Sequence, residues 1–441
     1  MKITEGGTSF NKPKKYGHLM LKNTFKKIEI NDMDEKNIKK NILWNTVGSI
    51  FYFACQWLIT VLVVKWDSYE SAGYLSIAMT TSSSFSVIAL LSMRSFQISD
   101  LRGEFSAREY VGSRIDSSVA SYVVCTVVSL FTSSIYQMLC INAFMLVKVA
   151  EALVDVLHGE NQKQDRYDYI GKSFFLRGIA TILSFSIGIK TTHSLVITLF
   201  LMAFLNLFFA IYYDVKKTGG LLDIRPILFK KSIFKLILSC LPLAMFSFML
   251  SVQNLIPKNV FQDMYGNYKL GVYSSIASPT LIVQVLSSVI FSPFLPLFSK
   301  IYQEERYEEF QKNMHKIYIG FIIMILSVMI GGMILGKIGL VILFGRNILK
   351  YYYLFYPIVI VTLLVSIIWI LSSIMIAIRE VKWLLVSMII DFILCIIFVY
   401  PIIKKFESNG MSYVQILTYS IYIIFMLIFF EIKLDRKKRK K

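Results

Sequence analysis

The chain has 441 residues, of which 56% are hydrophobic and only 17% are charged, and its mean hydropathy is +0.60. This composition leaves too little polar surface for a protein dissolved in water, so the bilayer is the expected solvent. A formal net charge of +19 would suit a nucleic-acid-binding protein. The basic residues flank apolar segments, however, and therefore indicate membrane topology with no nucleic-acid partner.

Apolar segments long enough to cross a hydrocarbon core of about 30 Å follow one another along the chain. In the first half they lie near residues 42–64, 71–93, 117–139, 141–157, 173–189 and 194–213. In the second half they lie near 236–256, 272–298, 317–336, 354–377, 383–403 and 412–430. In lipid every backbone polar group needs an internal partner, so such runs must be helices. The predicted fold class is all-α, a polytopic membrane protein with about twelve transmembrane helices.

Charge predicts the orientation of these helices. Most of the 47 Lys and Arg residues lie in the N-terminal tail, in every second loop and in the C-terminal tail. Cytoplasmic loops are enriched in Lys and Arg, so both termini are expected in the cytoplasm. The first apolar segment follows a long basic tail and is long enough to remain in the membrane, so no cleaved signal peptide is expected. The basic run at 435–441 is either an ordinary anchor or a contact for anionic membrane lipids.

A duplicated unit is indicated by two internal matches. AGYLSIA at 72–78 matches GVYSSIA at 271–277, and SDLRGEFSAREY at 99–110 matches SKIYQEERYEEF at 299–310. Their common spacing of about 200 residues predicts two like-oriented six-helix lobes with the substrate route between them. The predicted divisions are a cytoplasmic basic tail at 1–40, an N-terminal lobe at 41–213, a cytoplasmic linker at 214–235, a C-terminal lobe at 236–432 and a second basic tail at 433–441.

The fourth apolar segment concentrates charge on one face. Lys148, Glu151, Asp155 and His158 recur at helical spacing, which stacks them on one side of the helix. Intramembrane charge usually faces protein or a wet cavity, so this stripe predicts a helix that lines a hydrated cleft. We expect Lys148 to pair with Glu151 and His158 to lie near the water boundary. A self-neutralising structural pair flanked by interfacial residues is the alternative.

Four other polar residues in or beside the apolar segments are candidates for the substrate route. Gln56 lies in the first segment, Lys258 ends the seventh, and Asp391 lies in the eleventh. Arg94 follows the second segment, where its guanidinium meets a phosphate or simply anchors the helix. Asp155, Glu151 and Asp391 are candidate ion-coupling residues, because a carboxyl group held in the membrane can exchange a proton or bind a cation.

Motifs for catalysis in water fail on inspection. Gly171-Lys172-Ser173 imitates the end of a P-loop, but Arg166 stands where that motif requires glycine. The four histidines form no HExxH pair, and the five cysteines show no CxxC spacing. The sequence therefore predicts no catalytic residue, no metal ligand and no cofactor, with H⁺ or Na⁺ as candidate coupling ions.

Several segments together resemble a known family. They are NILWNTVGSIFYFACQWLITVLVV, MRSFQISDLRGEFSAREYVGSRI, EALVDVLHGENQKQDRYDYIGKSFFLRG, LPLAMFSFMLSVQNLIPKNV and LGVYSSIA. This set resembles Wzx-type flippases in the polysaccharide-transporter branch of the multidrug/oligosaccharidyl-lipid/polysaccharide (MOP) exporter superfamily, over about residues 38–432. The resemblance implies two lobes around a partly cationic cavity in a bacterial cytoplasmic membrane. The implied cargo is an undecaprenyl-diphosphate-linked oligosaccharide.

The resemblance also implies site residues and partners. The positions that match are Arg94, Asp100, Glu151, Asp155, Gly159, Gln162 and Lys258. The N-terminal extension, and a stripe with as much acid as base, depart from the family pattern. A polysaccharide polymerase and glycosyltransferases are the implied protein partners. A cation-coupled multidrug antiporter of the same superfamily is one alternative, and a membrane polymerase or glycosyltransferase is another, although the outward loops are short.

Overall fold

A computed structural model describes residues 16–100, 103–291 and 294–439. The first part of the predicted N-terminal tail, residues 1–15, and the last two basic residues lie outside this range. All regular structure in the described residues is helical. The first lobe contains α1 (Tyr16–Trp66), α2 (Tyr69–Leu90), α3 (Met93–Ser99), α4 (Ala107–Thr132), α5 (Ile135–Lys163), α6 (Tyr167–Thr192), α7 (Leu195–Phe209), a π-helical turn (Ala210–Val215) and α8 (Lys216–Gly219).

The second lobe contains α9 (Lys231–Ala277), α10 (Leu281–Phe291), α11 (Leu295–Gln303), α12 (Tyr307–Phe344), α13 (Phe355–Ala377), α14 (Val381–Phe406) and α15 (Gly410–Arg439). Short 3₁₀ turns at Ser278–Thr280, Arg346–Leu354 and Glu407–Asn409 connect some of them. In the described residues, nine segments are long and apolar enough to cross a membrane. Two of the nine are double-length, and α5 is a further helix of sufficient length but higher charge. Counting these gives the predicted twelve crossings.

The chain reverses within α9. Gly266 has φ 82° and ψ 169°, which are non-helical angles in a region that favours glycine. Lys258 and Ser274, on opposite sides of Gly266, both bond to the side chain of Ser76. Residues equally distant from a bend meet the same neighbour only if the two helices run antiparallel. α9 therefore crosses the membrane twice.

The last two helices also form an antiparallel pair. A Cβ on Gly410 would overlap the backbone of Ile403, so α14 and α15 approach closely beside their connecting turn. At the other end of the pair, Lys433 forms an ion pair with Glu380. Glycine permits the close approach because it carries no side chain. This packing explains why the segment Val381–Lys433 crosses the membrane twice.

The two ends of the molecule carry different loops. We call the end with the loops at 103–106, 164–166, 220–230, 304–306 and 378–380 the basic end, because it holds most loop cations of the described residues. At the opposite end the two lobes touch through backbone: a Cβ on Gly73 would overlap the Asn267 carbonyl, and one on Gly271 would overlap that of Tyr69. The lobes are thus pressed together at the opposite end.

The internal repeat agrees with the helix positions. α4 begins at Ala107 and α12 at Tyr307, which matches the predicted spacing of about 200 residues. The matched segments at 72–78 and 271–277 pack against each other, and Ser274 Oγ donates to Ser76 Oγ at 2.7 Å. Equivalent helices of the two lobes therefore meet at the interface between them.

Several helices extend beyond the apolar segments that predicted them, and three in the N-terminal lobe show why. α4 begins at Ala107, where Ser106 and Glu109 form a capping box, ten residues before the predicted start near 117. α5 spans 29 residues because its polar ends bond inside the lobe: Gln137 donates to the Tyr74 carbonyl at 3.1 Å. The helix that begins at Leu195 continues to Gly219, into the predicted linker. Hydropathy underestimates a helix whose polar residues have partners in the same lobe.

Candidate functional site

A cavity of about 470 Å³ with many polar side chains lies between the lobes, towards the end opposite the basic end; we call it the polar cavity. Its walls come from α1 and α2 on one side and from α9, α10 and α13 on the other. Lys258 is the one charged side chain among the described lining residues. Its ammonium donates to Thr80 Oγ1 at 2.7 Å and to Ser76 Oγ at 3.2 Å. Of the predicted site residues, Lys258 alone lines this cavity.

The charged stripe of α5 lies in the N-terminal lobe. As predicted, Lys148 pairs with Glu151, with Nζ 2.8 Å from Oε2. The other carboxylate oxygen accepts a 2.7 Å hydrogen bond from the buried hydroxyl of Tyr52 on α1. Gln56, one turn along α1, donates to that hydroxyl at 3.0 Å. Lys148 and Glu151 keep 19% and 24% of their side-chain surface exposed, so the pair is not fully enclosed.

Asp155 is held between two arginines. Arg94 donates to its Oδ1 at 3.1 Å and to Gln162 Oε1 at 3.1 Å. Arg114 on α4 donates to its Oδ2 at 2.9 Å, and the side chain of Arg114 is wholly buried. The expectation that Arg94 meets a phosphate or anchors the helix did not include this ion pair. The side chains of Arg94 and Asp155 are 30% and 21% exposed.

Arg177 on α6 was not predicted as a site residue. It is almost wholly buried and donates to the Tyr52 hydroxyl at 3.4 Å, while its Nε has no partner among the described residues. The signal was present in the sequence, since this arginine lies inside an apolar segment. We call Arg94, Arg114, Lys148 and Arg177, with Glu151 and Asp155, the α5 cluster. Its cations outnumber its carboxylates by two.

His158 does not lie near the water boundary, contrary to the prediction. It is almost wholly buried, with Nε2 3.2 Å from Asp214 Oδ1. Ser173 donates to the other oxygen of Asp214 at 2.9 Å. Asp214 lies on the π-helical turn after α7, so the helix that overruns the predicted linker supplies this partner. His158 and Asp214 join α5 to the end of α7 and stand apart from the cleft.

Asp100 and Gly159 have packing roles. Backbone N–H groups of Glu104 and Phe105 and the Tyr110 hydroxyl all donate to the Asp100 carboxylate, at 2.9, 3.1 and 3.0 Å. Burial raises the pKa of Asp100, but these three donors outweigh burial and hold the pKa below its usual value. Asp100 therefore fixes the loop between α3 and α4.

A Cβ on Gly159 would overlap the side chain of Gln97, which donates hydrogen bonds to the Val156 carbonyl and to the Glu160 carboxylate.

Asp391 lies in a separate buried site in the C-terminal lobe. Gln253 Nε2 donates to Asp391 Oδ2 and lies 3.5 Å from Thr418 Oγ1. Asp391 Oδ1 and Gln253 Oε1 have no hydrogen-bond partner among the described residues. Helices α9, α14 and α15 thus bring several oxygen atoms to one buried point. No group of three or more His, Cys, Asp or Glu side chains in the described part of the chain is placed to hold a metal ion.

An apolar groove of about 640 Å³ lies between α10, α11 and α12. Its lining includes Phe291, Phe298 and Met324, with Asn313 and Lys316 near the basic end. α10 separates the groove from the polar cavity, because Leu281 and Gln284 line the cavity whereas Val283 and Leu286 line the groove.

Solved structures with the same architecture are transporters. An inward-facing multidrug-resistance MATE transporter of the MOP superfamily matches with a TM-score of 0.68 and 14% identity, over 90% of this chain and 99% of that one. The lipid II flippase MurJ in an inward closed conformation matches with a TM-score of 0.67 and 15% identity, over 88% of this chain and 87% of that one. The chain has the fold of MOP-superfamily transporters.

One sequence relative of the chain is a capsule protein. The capsular polysaccharide biosynthesis protein CapF of Staphylococcus aureus is 27% identical over 320 residues, which covers 70% of this chain and 78% of that protein. No family model matches the chain.

Proposed function

We propose that this protein is a flippase that moves an undecaprenyl-diphosphate-linked oligosaccharide across a bacterial plasma membrane by alternating access. The observation that carries the proposal is the α5 cluster, in which cations outnumber carboxylates by two and the side chains of Arg94 and Lys148 are partly exposed. A diphosphate is the anionic group that such a cluster suits, because a guanidinium offers paired donors to phosphate oxygens. The fold shared with MurJ and the capsule-related name of the S. aureus relative support the same cargo class.

In this mechanism the basic end faces the cytoplasm, as the positive-inside rule predicts for the tails and their matching loops. With the lobes pressed together at Gly73 and Gly271, the cleft, by which we mean the space between the two lobes, then opens towards the cytoplasm. The diphosphate contacts Arg94 and Lys148, which are the cations of the α5 cluster with partly exposed side chains. The glycan extends into the polar cavity. The hydrocarbon chain of the carrier stays in lipid beside α10, where the apolar groove lies.

We propose Asp391 as the coupling site. Its carboxylate is buried with an amide and a hydroxyl and has no basic partner among the described residues. A buried carboxylate of this kind must be neutralised, and a proton or Na⁺ supplies the missing charge. Glu151 and Asp155 are weaker candidates, because cations of the protein already compensate them.

A flip assay in reconstituted vesicles tests the proposal. The substrate is a short-chain polyprenyl diphosphate that carries a fluorescent disaccharide, and a membrane-impermeant reductant destroys the fluorophore in the outer leaflet. The wild-type protein is expected to move the inner pool outward, and Arg94→Gln to slow this about tenfold, which corresponds to loss of one charge-assisted hydrogen bond. Arg108→Gln is the matched control, because Arg108 lies at the same end but pairs on the surface with Asp223.

Wild-type vesicles that flip the lipid no faster than protein-free vesicles would contradict the proposed function.

A multidrug antiporter is the alternative function, and the fold shared with MATE transporters supports it. It predicts that cells lacking the protein become sensitive to drugs while their surface polysaccharide stays normal. The excess of cations in the α5 cluster opposes this alternative for cationic drugs, since like charges repel.

A further inference from the structure

We propose that the polar cavity around Lys258 is a glycan subsite that selects an acidic sugar, one with a carboxylate distant from the diphosphate. The inference rests on the proposed function and specifies its substrate class. Lys258 provides the cation, and the remaining polar lining provides hydroxyl and amide groups suited to a sugar.

The chemistry of the lining supports a sugar. Besides Lys258, its polar side chains are neutral and mostly small, and they include Ser76, Thr80, Ser83, Asn254, Ser274 and Gln284. Hydroxyl and amide groups both donate and accept hydrogen bonds, which is what sugar hydroxyls require. Trp369 also lines the cavity, and 58% of its surface is exposed. An exposed indole gives the apolar face of a sugar ring a flat surface to pack on.

The charge state of Lys258 supports an acidic sugar. Its ammonium contacts two hydroxyl groups and forms no ion pair with any carboxylate in the described residues. In the α5 cluster, by contrast, Lys148 and Arg94 are paired with acids. A cation with only neutral partners keeps most of its capacity to attract an anion. In the confined cavity this attraction is screened less than it would be at an exposed surface.

Distance separates this cation from the diphosphate. Ser82 on α2, beside the cavity residues Thr80 and Ser83, donates to the Ile141 carbonyl on α5 at 3.0 Å. From Ile141 the helix continues unbroken to Lys148 and Asp155. At 1.5 Å per residue, these lie about 10 and 20 Å closer to the basic end. A diphosphate bound at Arg94 and Lys148 lies about 10 Å or more from Lys258 along the helix direction, so Lys258 meets a more distant part of the cargo.

The test compares three lipid probes on the purified full-length protein. All share one short polyprenyl diphosphate: the first carries a disaccharide that ends in glucuronic acid, the second carries its glucose counterpart, and the third carries no sugar. Wild-type protein is expected to bind the acidic probe about tenfold more tightly than the glucose probe, because an ionic hydrogen bond is gained. Lys258→Met is expected to remove that preference, and Lys258→Arg to keep it.

Lys269→Met serves as the matched control. Lys269 is on the same helix, beyond Gly266, and packs over the Tyr265 ring outside the cavity. Lys258→Gln repeats the test with a polar replacement, and thermal unfolding in detergent verifies that each variant is folded. An unchanged preference in both Lys258→Met and Lys258→Gln would overturn the inference.

Two further outcomes identify which proposal fails. If Lys258→Met weakens binding of the sugar-free probe as much as that of the acidic probe, Lys258 contacts the diphosphate and the glycan inference is wrong. If wild-type protein binds none of the three probes, the proposed function itself is wrong. Equal binding of the acidic and glucose probes to wild-type protein leaves the flippase proposal standing and removes the acidic specificity.

Discussion

Asp155 is held by two arginines that differ in burial, and this difference predicts two unequal coupling free energies. Arg114 is wholly buried and also donates to the Ala89 carbonyl at 2.7 Å. Removing one partner from a buried pair costs about 3–5 kcal/mol, because the remaining charge has no compensation. Because Asp155 is 21% exposed, we expect Asp155→Asn to cost about 3 kcal/mol. Arg94 is 30% exposed, and pairs of that kind contribute about 0–1 kcal/mol.

The assay is a pair of double-mutant cycles, measured by denaturant unfolding in mixed micelles. One cycle combines Asp155→Asn with Arg114→Met and the other combines it with Arg94→Met. We expect a coupling of about 2 kcal/mol in the first and under about 1 kcal/mol in the second. Arg114→Met should also partly restore the stability of Asp155→Asn, because it removes the uncompensated guanidinium. Equal couplings, or a larger coupling to Arg94, would refute the argument from burial.

Three other predictions follow from the same contacts. Lys148→Ala should lower the free energy of unfolding by about 1–2 kcal/mol, since its pair is less than a quarter exposed but Tyr52 still donates to Glu151, and it should slow flipping several-fold; normal flipping would leave the pair structural. Asp391→Asn should keep downhill exchange in vesicles but lose gradient-driven transport, so retained gradient dependence would exclude Asp391 as the coupling site. Gly73→Val should prevent the lobes from closing at the end opposite the basic end. A membrane-impermeant reagent should then label a cysteine placed at Ser76 faster than in the parent protein. Gly331→Val is the control, because a Cβ at Gly331 meets no neighbouring atom.

Local pattern predicted what depends on the neighbouring residues of the chain. Hydropathy identified the helices, and the spacing of Lys148 and Glu151 placed their charges one turn apart, where they pair at 2.8 Å. The start of α4 was also readable, because Ser106 and Glu109 form the Ser-x-x-Glu pattern of a capping box. That signal would have placed Arg114 inside a helix and made it a candidate ion-pair partner.

Long-range partners could not be predicted in this way. Tyr52 and Glu151 are separated by 99 residues, and Arg177 and Tyr52 by 125. Nothing in the local spacing of either pair indicates the contact, which exists because α1 packs against α6 and the Tyr52 hydroxyl reaches Glu151 on α5. His158 was misplaced for the same reason. Its partner Asp214 resembled a linker residue only because hydropathy ended the preceding helix too early.

The two cationic regions of the cleft differ in a way that suits one amphipathic cargo. Each diester phosphate carries one negative charge at neutral pH, so a diphosphate would balance the two excess cations of the α5 cluster. Binding would then leave the α5 cluster nearly neutral, and the charge of this cluster would no longer oppose movement of the lobe through the membrane. Lys258, whose hydrogen-bond partners among the described residues are the neutral Thr80 and Ser76, has no anionic partner until an acidic sugar reaches it. A cargo that lacks this acid would satisfy the α5 cluster and still leave a cation buried between the lobes, so it should cross more slowly than its acidic counterpart.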